Sequence, residues 1–282
     1  MEECTMLYLL LAILCSSSVS IAMRLGIERA EHNYGMLTMN YVTCMLLAAF
    51  HAGFNILPLG PGFTETLGLG AFTGMVYLAA FVLMQMNVQK NGVVLSSVFM
   101  KLGLLVPMVV SIFLFGEMPG AMQWLGFVLA VGAIVMINWK SGGSGLKSGL
   151  SLVLLLLGGG TADCMSKVFE ELGPAALAPQ FLFFTFLFAF AICKDLVFFK
   201  HQRIGRNEII YGCLIGVPNF YSSKFILSAL NELEAIIVYP SFSVATILVV
   251  TLVGVLVFRE TLSKRQWLAL LIILAALVLL NI

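Results

Sequence analysis

Four ionisable side chains stand among neighbours that are almost all apolar. Asp163 and Lys167 lie four residues apart in "LGGGTADCMSK" (157–167), Lys101 lies in "SSVFMKLGLL" (96–105) and Lys224 in "VPNFYSSK" (217–224). A charge at the centre of a bilayer-buried helix costs about 2.5–3.5 kcal/mol, while each Leu or Ile returns only a few tenths. Such groups usually face a wet cavity, where they hold an opposite charge or carry a proton.

Each has a structural reading beside the functional one. Lys101 sits about eight residues, roughly 12 Å, from the nearer end of its apolar stretch. That is too far for its stem to reach the interface, so it either bonds buried carbonyls or a lone acid, or it serves a cavity. Ser97, one turn earlier, shares its face. Asp163 precedes Lys167 by four residues, the favourable order for a helical ion pair, so the two either neutralise each other or belong to a site. Gly158–Gly160 allow close helix approach or room for a ligand. Near Lys224, Pro218 frees a backbone carbonyl that Asn219, Ser222 and Ser223, or a ligand, would satisfy. "YPSFS" (239–243) puts Tyr239 and Ser243 on one helix face beside Pro240.

The elements that position these groups follow from composition. The 282 residues are 61% hydrophobic and only 10% charged, with a mean hydropathy of +1.05. Soluble domains carry roughly 25% charged residues, so the chain reads as an all-α polytopic membrane protein. Windows of about 20 apolar residues give ten spans: 5–25, 35–54, 66–86, 93–115, 121–138, 149–169, 177–198, 208–230, 235–257 and 264–281. The start, "MEECTM", is acidic where a cleaved signal needs basic residues, and the first span reads as retained. No linker is long enough to hold a soluble domain.

Charge in the connections is one-sided. Arg24, Arg29, Lys90, Lys140, Lys147, Lys194, Lys200, Arg203, Arg206, Arg259, Lys264 and Arg265 all lie in the connections after odd-numbered spans or at the span ends that flank them. The opposite side carries Glu2, Glu3, Glu65, Glu117, Glu170, Glu171, Glu232 and Glu234. By the positive-inside rule both termini are expected outside the cytoplasm, with the bacterial cytoplasmic membrane as the location.

The chain also repeats itself. "FGEMPGAMQWL" (115–125) matches "FRETLSKRQWL" (258–268), "YLAAFVLMQMN" (77–87) matches "YSSKFILSALN" (221–231), and "CSSSVSIAMR" (15–24) parallels "LGGGTADCMS" (157–166). Two five-span halves result, 1–140 and 147–282. Because five is odd, the second half is inverted, as in many secondary transporters whose substrate site lies between the halves at mid-membrane.

These residues carry a resemblance. Two five-helix repeats, each with a fourth span ending in a Glu turn ("FLFGE", "LVFRE") before a fifth opening on "QWLG" or "QWLA", resemble the ten-helix EamA-like branch of the drug/metabolite transporter (DMT) superfamily. The first span has "CSSSVS" where the family often has an aromatic–glycine pair, and Pro107 falls later in the fourth span than the usual proline. The resemblance implies a pore lined by spans 1, 3, 4, 6, 8 and 9, with 5 and 10 at the periphery, and termini in the cytoplasm, against the loop charges.

Counting only the span interiors, three lysines face one aspartate, a balance of +2. The expectation is therefore a positively biased cavity taking a small anionic or zwitterionic metabolite by alternating access. Its candidate residues are Lys101, Ser97, Asp163, Lys167, Tyr77, Asn219, Tyr221, Lys224, Tyr239 and Ser243, with Asp163 also the candidate coupling group for a proton. The bilayer and a coupling proton or counter-solute are the expected partners, nucleic acid is not, and the chain works as a monomer or homodimer. Two alternatives remain open: an exporter of organic cations or drugs using Asp163, and a flippase for an anionic lipid carrier.

Other signals read as structural. "GLGAFTG" (68–74) follows no strand and suits close helix packing better than phosphate binding. The six cysteines form no metal-spaced cluster and read as small hydrophobes. His32, His51 and His201 are scattered. Glu117 and Glu260 read as interfacial turn residues or as gating groups, and the Phe-rich stretch 181–190 reads as lipid-facing. No catalytic set, metal cluster or nucleotide loop appears, so neither a cofactor nor an enzyme is expected.

Overall fold

A computed structural model describes residues 2–58, 60–106, 120–138, 145–230 and 235–279. The latter part of the expected fourth span with Pro107, and Glu117, Lys140, Asn231, Glu232 and Glu234, lie outside them. The described chain is helical throughout, with nine α-helices: α1 (Glu2–Arg29), α2 (Asn33–His51), α3 (Phe63–Lys101), α4 (Ala121–Asn138), α5 (Gly145–Leu172), α6 (Ala178–Phe199), α7 (Arg206–Leu230), α8 (Ala235–Leu256) and α9 (Lys264–Leu279). Among them Leu7–Arg29, Phe63–Lys101, Gly149–Phe169 and Ala175–Phe199 are long and apolar enough to cross a membrane. Large apolar side chains such as Leu46, Phe50, Leu125, Val128 and Leu271 remain exposed on the outside, as lipid contact requires.

The expected third span and the start of the fourth meet without an intervening loop, as two helical segments (63–91 and 93–101) of α3. α3 breaks at Gly92, whose φ of 83° and ψ of 168° are non-helical. Glycine tolerates a positive φ that side chains resist, so one residue redirects the chain where the hydropathy pattern suggested a loop.

The repeated Q-W-L motif has a local explanation. Gln123 and Gln266 sit at the third position of α4 and α9. Their side-chain oxygens accept the N–H of the residue preceding each helix, Gly120 at 3.0 Å and Ser263 at 2.8 Å. Gln266 N–H donates in turn to Ser263 Oγ at 3.3 Å, which completes a capping box.

Packing runs mainly between the halves. α1 lies on α7, α2 on α6 and α7, α3 on α5 and α6, and α4 on α9. Glycines permit the closest approaches: a Cβ on Gly70 would meet Phe184 Cβ at 2.7 Å, and one on Gly74 would strike the Thr185 carbonyl. The Phe-rich stretch is thereby drawn inward. Phe181, Phe183, Phe184 and Phe186 are all buried, which corrects the lipid-facing expectation. Aromatic residues all round a helix do not reveal which side meets glycine notches.

Candidate functional site

The three consecutive glycines bring α5 against α3. A Cβ on Gly158 would lie 3.5 Å from Ala80 Cα, one on Gly159 3.1 Å from the Met100 carbonyl, and one on Gly103 2.5 Å from the Gly160 nitrogen. This contact fixes what flanks it. Asp163, just past the glycines, and Lys101, just before Gly103, both line one cavity between the halves. α3 yields to a 3-10 turn, Leu102–Leu104, right after Lys101.

The cavity has about 100 Å³ open to the centres of water-sized molecules, where one water needs about 10–15 Å³ on that measure. Its wall takes Ser16 and Ser20 from α1, Tyr77, Ser97 and Lys101 from α3, and Asp163 from α5. Thr185 comes from α6, Asn219 and Ser223 from α7, and Tyr239 and Phe242 from α8. Among the described residues α4 and α9 contribute nothing to it, in line with the peripheral place the resemblance implied, while α6 is an addition to the implied pore.

Lys101 and Asp163 are its charged members. They are close enough to influence each other electrostatically, yet among the described residues neither makes an ion pair within 4.0 Å. Lys101 Nζ instead lies 3.8 Å from the centroid of the Phe242 ring, a cation–π arrangement. The hydroxyls divide into two kinds. Tyr77 Oη is tied to Ser223 Oγ at 2.9 Å, and Ser223 Oγ is also 3.2 Å from the Asn219 carbonyl. Asn219 Nδ2 donates to Asn40 Oδ1 at 3.1 Å. Ser97 Oγ and Thr185 Oγ1, each on a residue 2% exposed, make no hydrogen bond among the described residues.

Of the ten candidate residues, the cavity brings together Tyr77, Ser97, Lys101, Asp163, Asn219 and Tyr239. Lys167, Tyr221, Lys224 and Ser243 do not line it. Lys167 pairs with Glu171 at 2.8 Å rather than with Asp163. The hydrogen bond and charge of Lys167 hold the Glu171 carboxyl below its ordinary value. Tyr221 packs on Phe220, Phe225 and His51, and Ser243 is buried at 3% exposure. Among the described residues one lysine and one aspartate line the cavity, a balance of zero in place of the expected +2. Phe242, Thr185, Ser16 and Ser20 had gone unnoticed. The serines alone had a signal, since "CSSSVSIAMR" is the repeat partner of the segment holding Asp163.

A helical protein of two packed repeats with a polar, partly charged chamber between them belongs among the integral-membrane transporters of small molecules. The chain belongs to the EamA-like transporter family, matching it twice, over residues 4–139 and 148–282. It is 26% identical over 278 residues to an uncharacterized protein of Haemophilus influenzae, the alignment covering 95% of each chain. A solved crystal structure shares the fold, with a TM-score of 0.63 at 16% identity over 98% of this chain and 96% of that one.

Proposed function

We propose that the protein is a secondary transporter that moves a small zwitterionic metabolite by alternating access of its two halves. One observation carries this reading: Lys101 and Asp163 line the same cavity without closing into an ion pair. Two opposite charges left apart in a low-dielectric chamber attract a guest bearing both signs, whereas a purely anionic or cationic guest leaves one of them buried and unmatched. Ser97 and Thr185 support it, because buried hydroxyls without partners are costly unless something else bonds them. Tyr77, Asn219 and Tyr239 complete the polar wall, and Tyr77, Phe81 and Phe186, which pack ring against ring, give the guest an apolar flank.

The working frame is the bacterial cytoplasmic membrane, with the basic loops inside and both termini outside. A solute or proton gradient drives transport, Asp163 being the candidate proton carrier, and the unit is a monomer or homodimer. Transport by purified protein in liposomes, with zwitterionic, anionic and cationic metabolites offered separately, tests the reading. Accumulation of zwitterions is expected, and it is lost in Lys101→Ala and Asp163→Asn. Preferential movement of cations that survives Lys101→Ala would replace it with the organic-cation exporter.

A further inference from the structure

The end of the molecule that carries the basic loops is tied across the halves by two carboxylates, one buried and one half-buried, both from the second half. Glu208, the third residue of α7, is 3% exposed. Its Oε1 accepts the backbone N–H groups of Glu31 at 2.9 Å and His32 at 3.0 Å, just before α2, and its Oε2 accepts that of Gly205 at 2.9 Å. Glu260, in the connection between α8 and α9, accepts Val93 N–H at 2.6 Å and Val94 N–H at 3.1 Å, where α3 resumes after its kink. Charge-assisted bonds to the N–H groups at a helix start are among the stronger hydrogen bonds a protein makes.

Both carboxylates sit in fitted seats. A Cβ on Gly92 would lie 2.8 Å from each Glu260 carboxylate oxygen. One on Gly205 would lie 2.8 Å from Glu208 Oε2, and one on Gly35 would lie 3.1 Å from Glu208 Cγ. Two neutral bonds reinforce the first tie: Tyr34 N–H to Gln202 Oε1 at 3.1 Å, and Asn207 Nδ2 to the Arg29 carbonyl at 2.9 Å.

At the opposite end the counterpart of Glu208 stands in another state. Glu65 is the third residue of α3, following Gly62, as Glu208 is the third of α7, following Gly205. Yet Glu65 is exposed, and it accepts no hydrogen bond among the described residues. Among the described residues a neutral bond ties the halves there, Gln180 Nε2 to the Asn55 carbonyl at 2.8 Å. Inverted repeats work by parting at one end and then the other, so bonds that bridge the halves at one end have to break in one phase of the cycle.

We infer that Glu208 and Glu260 are paired latches that hold the two halves together at the basic-loop end, and that releasing them admits solvent to the cavity from that side. The inference rests on the alternating-access reading, and its test reads accessibility rather than transport. Ser20, which lines the cavity, is replaced as Ser20→Cys in a background whose six native cysteines are removed, and the full chain is reconstituted in liposomes. The rate at which a membrane-impermeant maleimide, added on the basic-loop side, modifies that cysteine is then measured.

Glu208→Gln combined with Glu260→Gln is expected to raise the rate about tenfold or more, the signature of a shifted conformational population. Gly92→Ala, which leaves the charge of Glu260 but crowds its seat, shifts the rate the same way, while Glu65→Gln leaves it unchanged. The inference is overturned if folded, monodisperse double variant and Gly92→Ala protein both label at the parental rate, or if Glu65→Gln raises labelling equally. Zwitterion uptake that is lost in Lys101→Ala, beside unchanged labelling of the latch variants, would sink the latches alone. Shifted labelling in a protein that moves no metabolite would sink the transport reading alone.

Discussion

Two acid–base pairs that draw on α5 end differently. Lys167 touches Glu171 at 2.8 Å, with the glutamate side chain 51% exposed. Asp163, one turn earlier on the same helix, meets Lys101 only across a cavity. Exposed pairs contribute about 0–1 kcal/mol, because water already solvates both partners. A separated pair in a protein interior keeps its field, and that field is available to whatever enters. Contact cancels the first pair, and distance preserves the second.

The contrast can be broken most sharply at the cavity pair. Lys101→Ala or Asp163→Asn is expected to reduce kcat/KM for uptake about 100-fold, the loss of a charged hydrogen bond to the guest. Uptake within a few-fold of wild type in either variant would remove the pair from the site. Next in size is Gly103→Ala. Its methyl group would meet the Gly160 backbone at 2.5 Å, and overpacking of this kind costs about 1–3 kcal/mol. A lowered Tm together with weakened binding should follow; unchanged values of both would show that the α3–α5 contact does not set the spacing of the charges.

Removing the unpartnered hydroxyls, by Ser97→Ala or Thr185→Val, should raise KM about fivefold, near 1 kcal/mol for a hydrogen bond made only to the guest. If instead the variants gain stability with KM unmoved, those hydroxyls never touch it. Phe242→Leu removes the ring under Lys101 and should weaken binding about two- to fivefold, measured calorimetrically. The smallest effect belongs to the comparison pair. Lys167→Ala or Glu171→Gln should change uptake less than about twofold, and a loss as large as that of Asp163→Asn would erase the distinction drawn between them.

Much of the architecture was legible because it depends on sums over many residues. Hydropathy showed a helical membrane protein, and the matched Glu and Gln-Trp-Leu motifs showed two repeats. Which charge faces the cavity was not legible in the same way. Ahead of its glycines α5 is an unbroken run of Leu and Val (152–157), so periodicity gives no azimuth, and Lys167 has an acid four residues away in each direction. Local order favours Asp163; the partner taken is Glu171, which lies nearer the helix end, where pairing requires little desolvation. Phe242 carried no signal at all, since a phenylalanine in "YPSFS" is one apolar residue among many until Lys101 is seen above it. The sharp turn between the two segments of α3 rests on the φ of one glycine, Gly92, which no hydropathy window contains.

The central claim is that Lys101 and Asp163 each take one end of the same guest. Its most direct test is calorimetric binding of three compounds on one skeleton: a zwitterion, its ester, which is a cation, and its N-acetyl form, which is an anion. Wild type should prefer the zwitterion, Asp163→Asn should turn the preference toward the anion, and Lys101→Ala should turn it toward the cation. Equal binding of all three to wild type, or a ranking that neither substitution moves, would contradict the account.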